Sequence, residues 1–78
     1  MSDLLRRITI NPKVLGGKPT IRGLRISVEQ ILRALGNDVA EADLLADYPE
    51  LQHEDIRACI AYAAQLVSEE RAYLVGTP

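Results

Sequence analysis

The sequence has no tryptophan and no phenylalanine; three tyrosines are its only aromatics, and it holds one cysteine and one histidine. With so few rings, the core has to be assembled from Leu, Ile, Val and Ala, which is thin material for 78 residues. A single core of this size rarely supplies more than about 3–5 kcal/mol, and small domains without covalent staples often bury a further face against a second chain. A homodimer is therefore expected. The lone Cys59 cannot close an intramolecular disulfide, and no paired thiols stand at zinc-ligand spacing. Neither a metal nor a cofactor is expected. No apolar run approaches the ~20 residues needed to span a bilayer, and Met1 to Arg7 is short and charged, without the apolar stretch of a signal peptide. The expectation is a cytoplasmic protein with no membrane contact.

What is present is the balance of a folded globule: 47% apolar and 26% charged residues. One domain over residues 1–78 is expected, since several cores form only in much longer chains. The net charge of −2 conceals a division. Residues 1–36 carry seven cations against two acids, and residues 37–78 carry two against nine. Such asymmetry points to a basic contact surface for nucleic acid or an acidic partner, or to attraction between the halves themselves.

Along the chain, Ile8-Thr9-Ile10 alternates as a short strand does, and Asn11-Pro12 ends it. The Gly- and Pro-rich stretch Val14 to Gly23 predicts a shaped basic loop, and Leu24-Arg25-Ile26 alternates again as a second strand. Ser27-Val28-Glu29-Gln30 reads as a capping box, with Gln30 reaching back to the cap. It opens a helix over roughly 28–35, with Val28, Ile31, Leu32 and Leu35 on one stripe and Gly36 at the left-handed position beyond it. A box-like start at Asp38 predicts a second helix over roughly 39–47, ended by Tyr48-Pro49. Glu54 and Asp55 suit the first turn of a third helix, over about 53–72, with Ile56, Cys59, Ile60, Ala63 and Val67 as its apolar stripe. Residues 73–78 read as a tail. The fold expected is mainly α: a three-helix, homeodomain-like helix-turn-helix bundle over 28–72, preceded by a short N-terminal β-strand pair and loop in 8–26.

Catalytic chemistry finds little support. Cys59 and His53 are six positions apart on one predicted helix and so point about 240° apart, which prevents a nucleophile–base pair. His53-Glu54-Asp55 fan out around the helix instead of converging on a metal. Gly17-Lys18-Pro19-Thr20 lacks the first glycine and the hydroxyl of a phosphate loop, and a strand follows it. Tyr48 and Tyr62 read as core or boundary residues. An enzyme is not expected. If DNA is bound, the basic loop is the better candidate, because the third helix starts with carboxylates that repel phosphate. Lys18, Arg22 and Arg25, with Arg6 and Arg7 as arm contacts, are the candidate DNA-binding residues. The competing reading pairs these cations with the acidic helices.

Asn11-Pro12, Gly16-Gly17-Lys18-Pro19-Thr20-Ile21-Arg22-Gly23, Arg25-Ile26, Leu35-Gly36, Asp47-Tyr48-Pro49 and Glu54-Asp55-Ile56 together make the chain resemble domain-of-unknown-function family 433 over residues 8 to about 65. Leu24 stands where that family usually has threonine. The resemblance implies a homeodomain-like fold and a VapB-type antitoxin that neutralises a PIN-like ribonuclease toxin and can also bind operator DNA as an autorepressor. On that reading the toxin-facing surface is the C-terminal segment, through Leu66, Glu69, Glu70, Tyr73 and Leu74, whose acids suit a basic RNA-binding cleft. The alternative is a dimeric protein-interaction scaffold with no nucleic-acid binding.

Overall fold

The computed structural model describes residues 3–74, with side chains through Glu69. A 3-10 turn over Asp3–Arg7 leads into strand β1 (Ile8–Ile10), which pairs antiparallel with β2 (Pro19–Ile21) in the register Ile8–Ile21, Thr9–Thr20, Ile10–Pro19. Three helices follow: α1 (Val28–Gly36), α2 (Glu41–Asp47) and α3 (His53–Leu74). The expected mainly helical architecture with an N-terminal strand pair is what forms.

The second strand lies earlier than the Leu24–Ile26 that alternation predicts. Thr20 and Ile21 are fully buried, so β2 has its own claim on the core, and Pro19 sits at the strand's first residue, where a missing N–H is tolerated. Arg22 (φ 47°) and Gly23 (φ 74°) both take left-handed backbone, and Leu24 N–H donates to Ile21 C=O at 2.7 Å. Positive φ at both central residues makes this a type I′ turn, which folds the chain back at once. The returning segment keeps only the Ile21 N–H to Ile26 C=O bond and an isolated bridge between Thr20 and Ser27.

Ser27 caps α1 as expected, its Oγ accepting from Gln30 N–H at 2.9 Å. The Gln30 side chain does not reach back; it donates to the Tyr48 hydroxyl at 2.8 Å and so ties α1 to the end of α2. Gly36 is the last residue of α1, and Asp38 (φ 67°) holds the left-handed position instead. Asp38 N–H donates to Leu35 C=O and Val39 N–H to Ala34 C=O, a Schellman closure that satisfies the helix-end carbonyls. Asp38 is thereby unavailable to cap α2, which starts at Glu41 behind Ala40 with no side-chain cap.

The core is Ile21, Ile26, Val28, Ile31, Leu44, Leu51, Ile56 and Cys59, with Ile8, Leu32, Leu35 and Tyr62 packed around it. On α3 the buried face differs from the predicted stripe. Ile60 and Val67 are 49% and 63% exposed, while Asp55, Ala58 and Cys59 are wholly buried. A charged residue therefore occupies a core position, and the elements that neutralise it decide which way the helix faces.

Candidate functional site

Asp55 lies three residues after Gln52, which precedes α3, and its Oδ2 accepts from Gln52 N–H at 2.9 Å, closing the helix start from the third position. The remaining lone pairs face two arginines. Arg22 presents its fork, Nε to Oδ1 at 3.0 Å and Nη2 to Oδ2 at 2.9 Å, while Arg7 Nη1 donates to Oδ1 at 2.9 Å. Arg22 Nη2 also donates to Glu50 C=O, and Arg7 Nη1 to Gln52 Oε1. The left-handed backbone at Arg22 turns its side chain toward α3, and the charge-assisted fork offsets the backbone cost. Burial pushes the Asp55 carboxyl upward, but Arg22, the Gln52 N–H and Arg7 together hold it below the usual carboxylate range. The Arg22 guanidinium is held above its ordinary value, chiefly by that hydrogen bond.

Three of the five cations expected to meet DNA are therefore engaged within their own chain. Arg7 and Arg22 clasp Asp55, and Lys18 Nζ lies 3.0 Å from Glu29 Oε1, whose other oxygen takes Arg33 Nη2 at 2.6 Å. The hydrogen bond from Arg33, then that from Lys18, lowers the Glu29 carboxyl to about 2. Arg6 and Arg25 are exposed. Of these pairs, only those of Arg7 and Arg22 with Asp55 join the oppositely charged halves; Lys18, Glu29 and Arg33 all lie in the first.

Among the described residues, Cys59 and His53 do not meet. Cys59 is fully buried and burial pushes its thiol up to about 12, so it carries no thiolate at neutral pH. His53 Nδ1 pairs with Glu41 at the surface. Among the described residues no three His, Cys, Asp or Glu side chains are placed to hold a metal ion, and no helix is long and apolar enough to cross a membrane.

The surface feature that stands out is on α3 beyond the core. Tyr62 and Leu66, four residues apart and so stacked on one side of the helix, form a ridge between two hollows. One, of about 180 Å³, is lined by Leu5, Ile8, Ile10, Gln65 and Glu69; the other, of about 440 Å³, lies against Pro19, Val28, Leu32 and Ala63, with Glu29 and Arg33 on its lip. Ile10 and Leu66 leave 62% and 44% of their surfaces open there. Ile60 and Val67 sit about 160° and 140° around the helix from Tyr62 and form a second exposed aliphatic patch. Of the expected partner-facing residues, Leu66 and Glu69 belong to the ridge side, and the side chains of Glu70, Tyr73 and Leu74 lie outside the described residues. Sequence pattern does not reveal the ridge, because Tyr62 reads as a core or boundary residue, and it does not single out Asp55, because Glu54 and Asp55 read alike as first-turn acids.

Residues 8–63 match the family described as "Protein of unknown function (DUF433)". Among solved structures, the chain is similar to a DUF433 member protein from Anabaena variabilis ATCC 29413, at 35% identity and a TM-score of 0.74, over 81% of this chain and 62% of that one. No curated protein matches.

Proposed function

This chain belongs to the DUF433 family, and on that footing we propose that it is a non-catalytic partner-binding module of the antitoxin kind, whose third helix holds a PIN-like ribonuclease toxin. The observation that carries the reading is the exposure of Ile60 and Val67 on α3, large aliphatics on a side of the helix that the domain itself does not cover. Exposed aliphatics on one helix face suit a partner groove that takes an amphipathic helix. In sequence, Glu70 follows Val67 by three positions, an acid of the kind that complements a cleft built for RNA. The antitoxin identity rests on the family resemblance; the geometry supports the binding role.

Operator binding is the weaker part of this reading. A DNA surface needs cations that can exchange their counterions for phosphate, and Arg7, Arg22 and Lys18 already face carboxylates. Arg6 and Arg25 are left to carry it. The scaffold alternative keeps the same α3 surface and dispenses with DNA altogether.

The test is co-expression of the tagged full chain with the protein encoded beside it, followed by affinity capture and a ribonuclease assay. The wild-type chain should retain the neighbour and silence its RNA cleavage, and the double variant Ile60→Glu, Val67→Glu should lose both. A neighbour that is not captured, or capture indifferent to both substitutions, overturns the reading. A gel shift with upstream DNA decides the operator role: a retarded band at low salt that disappears in Arg6→Ala, Arg25→Ala supports it, and no band leaves the scaffold alternative.

A further inference from the structure

We propose that two copies of this chain pair about a two-fold axis through the side of α3 that carries Tyr62 and Leu66. This inference goes beyond the partner-binding reading and does not depend on it, since that reading uses the opposite side of the helix, at Ile60 and Val67.

A two-fold interface has to be complementary to itself, because each patch meets its own copy. The Tyr62–Leu66 row meets that condition: it is a ridge of residues four apart with a hollow along each flank. Seating such a ridge beside its copy, each in the other's hollow, is the commonest way two helices pack. The larger hollow, of about 440 Å³, is floored by Val28, Leu32 and Ala63 and stands open beside the ridge, so it can accept Leu66 of a second copy.

Charge selects the same occupant. The larger hollow is lined by Arg33 and Glu29, and Lys18, outside the lining, holds the other oxygen of Glu29, so two cations surround one anion at that edge; Arg33 is 74% exposed despite its bond to Glu29. The lip of the smaller hollow, across the ridge, carries Glu69. A surface with a cationic lip on one flank and an anionic lip on the other is matched by its own copy turned through half a revolution, which brings Arg33 toward Glu69 twice. A partner of uniform charge would satisfy one lip and oppose the other. The shortage of large side chains in the core adds a reason: Tyr62 gains by pairing the cover that a core without Trp or Phe does not give it.

Sedimentation equilibrium of the full chain, from micromolar to several hundred micromolar, tests this. The expected mass is twice the 8.6 kDa of one chain, falling to one chain in Leu66→Glu with the helical circular-dichroism signal unchanged. Arg33→Glu should raise the dimer dissociation constant about tenfold or more, since the lost contact occurs twice, and Arg33→Glu, Glu69→Arg should restore it. This charge exchange decides the matter even if Leu66→Glu fails to fold. Ile60→Glu and Val67→Glu should leave the mass unchanged. A wild-type chain that stays at one-chain mass, a dimer abolished by the Ile60 and Val67 substitutions but not by Leu66→Glu, or a charge exchange that restores nothing would each overturn the proposal. Single-chain mass together with intact capture of the ribonuclease would overturn the dimer alone and leave the partner-binding reading standing.

Discussion

Replacing Asp55 by asparagine isolates the charge of the clasp while keeping its shape. Asparagine has one carbonyl oxygen where aspartate has two, and its NH₂ must point at either the Arg22 Nε and Arg7 Nη1 pair or the Arg22 Nη2 and Gln52 N–H pair, all of them donors. Removing one partner of a fully buried ion pair costs about 3–5 kcal/mol. Here the anion is wholly buried, but the Arg7 and Arg22 side chains are 29% and 34% exposed and can regain water. The expected loss is accordingly smaller, about 2–3 kcal/mol. For a chain of this length, whose whole stability is of the order of 4–12 kcal/mol, that is a large fraction. With a urea slope of about 1 kcal/mol/M, the unfolding midpoint should fall by about 2–3 M. The pH dependence supplies an independent check. The Asp55 carboxyl is held below its ordinary value in the folded state, so its contribution is complete above the unfolded carboxyl pKa of about 3.9 and is lost as the pH falls through the lower folded value. The stability gap between wild type and Asp55→Asn should therefore be constant from pH 7 to 5 and narrow below pH 4. A midpoint shift under about 0.5 M, or a gap that does not narrow in acid, would refute the account of Asp55 as the charge that orients α3.

Three further outcomes follow from local geometry. Ser27→Ala removes the side-chain acceptor of the Gln30 N–H and should cost about 1 kcal/mol in the same urea titration; no change would mean that water or Gln30 replaces the cap. At Asp38, where φ is 67°, Asp38→Gly should be more stable than Asp38→Ala by about 1 kcal/mol, and the reverse order would contradict the left-handed closure of α1. Cys59, with its thiol pushed up to about 12, should resist a disulfide reagent at pH 8 in the native chain and react fully once urea unfolds it; rapid native labelling would show that the core opens there.

The features legible in the sequence are those set within four or five residues. The Ser27 cap, the strand Ile8–Ile10, the start of α3 at His53, and the burial of Cys59 each rest on local pattern and occur as expected. What escaped depends on contacts between distant segments. Pro19-Thr20-Ile21 is a strand because β1, more than ten residues earlier, pairs with it, and the nearby Gly and Pro say nothing of that partner. Gln30 turned to Tyr48 rather than to its own cap because the end of α2 came within reach. Gly36 yielded the left-handed position to Asp38 once α1 ran on with Val39 as its apolar closure. The clasp did leave a trace: Asp55 shares a helical face with Cys59 and Tyr62, four and seven positions on, and a carboxylate in line with core residues calls for cations from elsewhere. The basic surplus of the first half supplied them. That same use leaves less positive charge for DNA than the sequence suggests, and α3 beyond Cys59 became the candidate site only when its neighbours showed which sides stay uncovered.

The tie between Arg22 and Asp55 changes how mutational screens on this chain have to be interpreted. Alanine at Arg22, Arg7 or Asp55 would read as a lost contact in a binding assay, because each loosens the hold of the amino-terminal hairpin on the long helix and lowers the stability of the whole domain. Such hits belong in the folding column. Arg6, Arg25, Ile60 and Val67, whose side chains lie at the periphery, are the positions at which a lost signal would report on recognition.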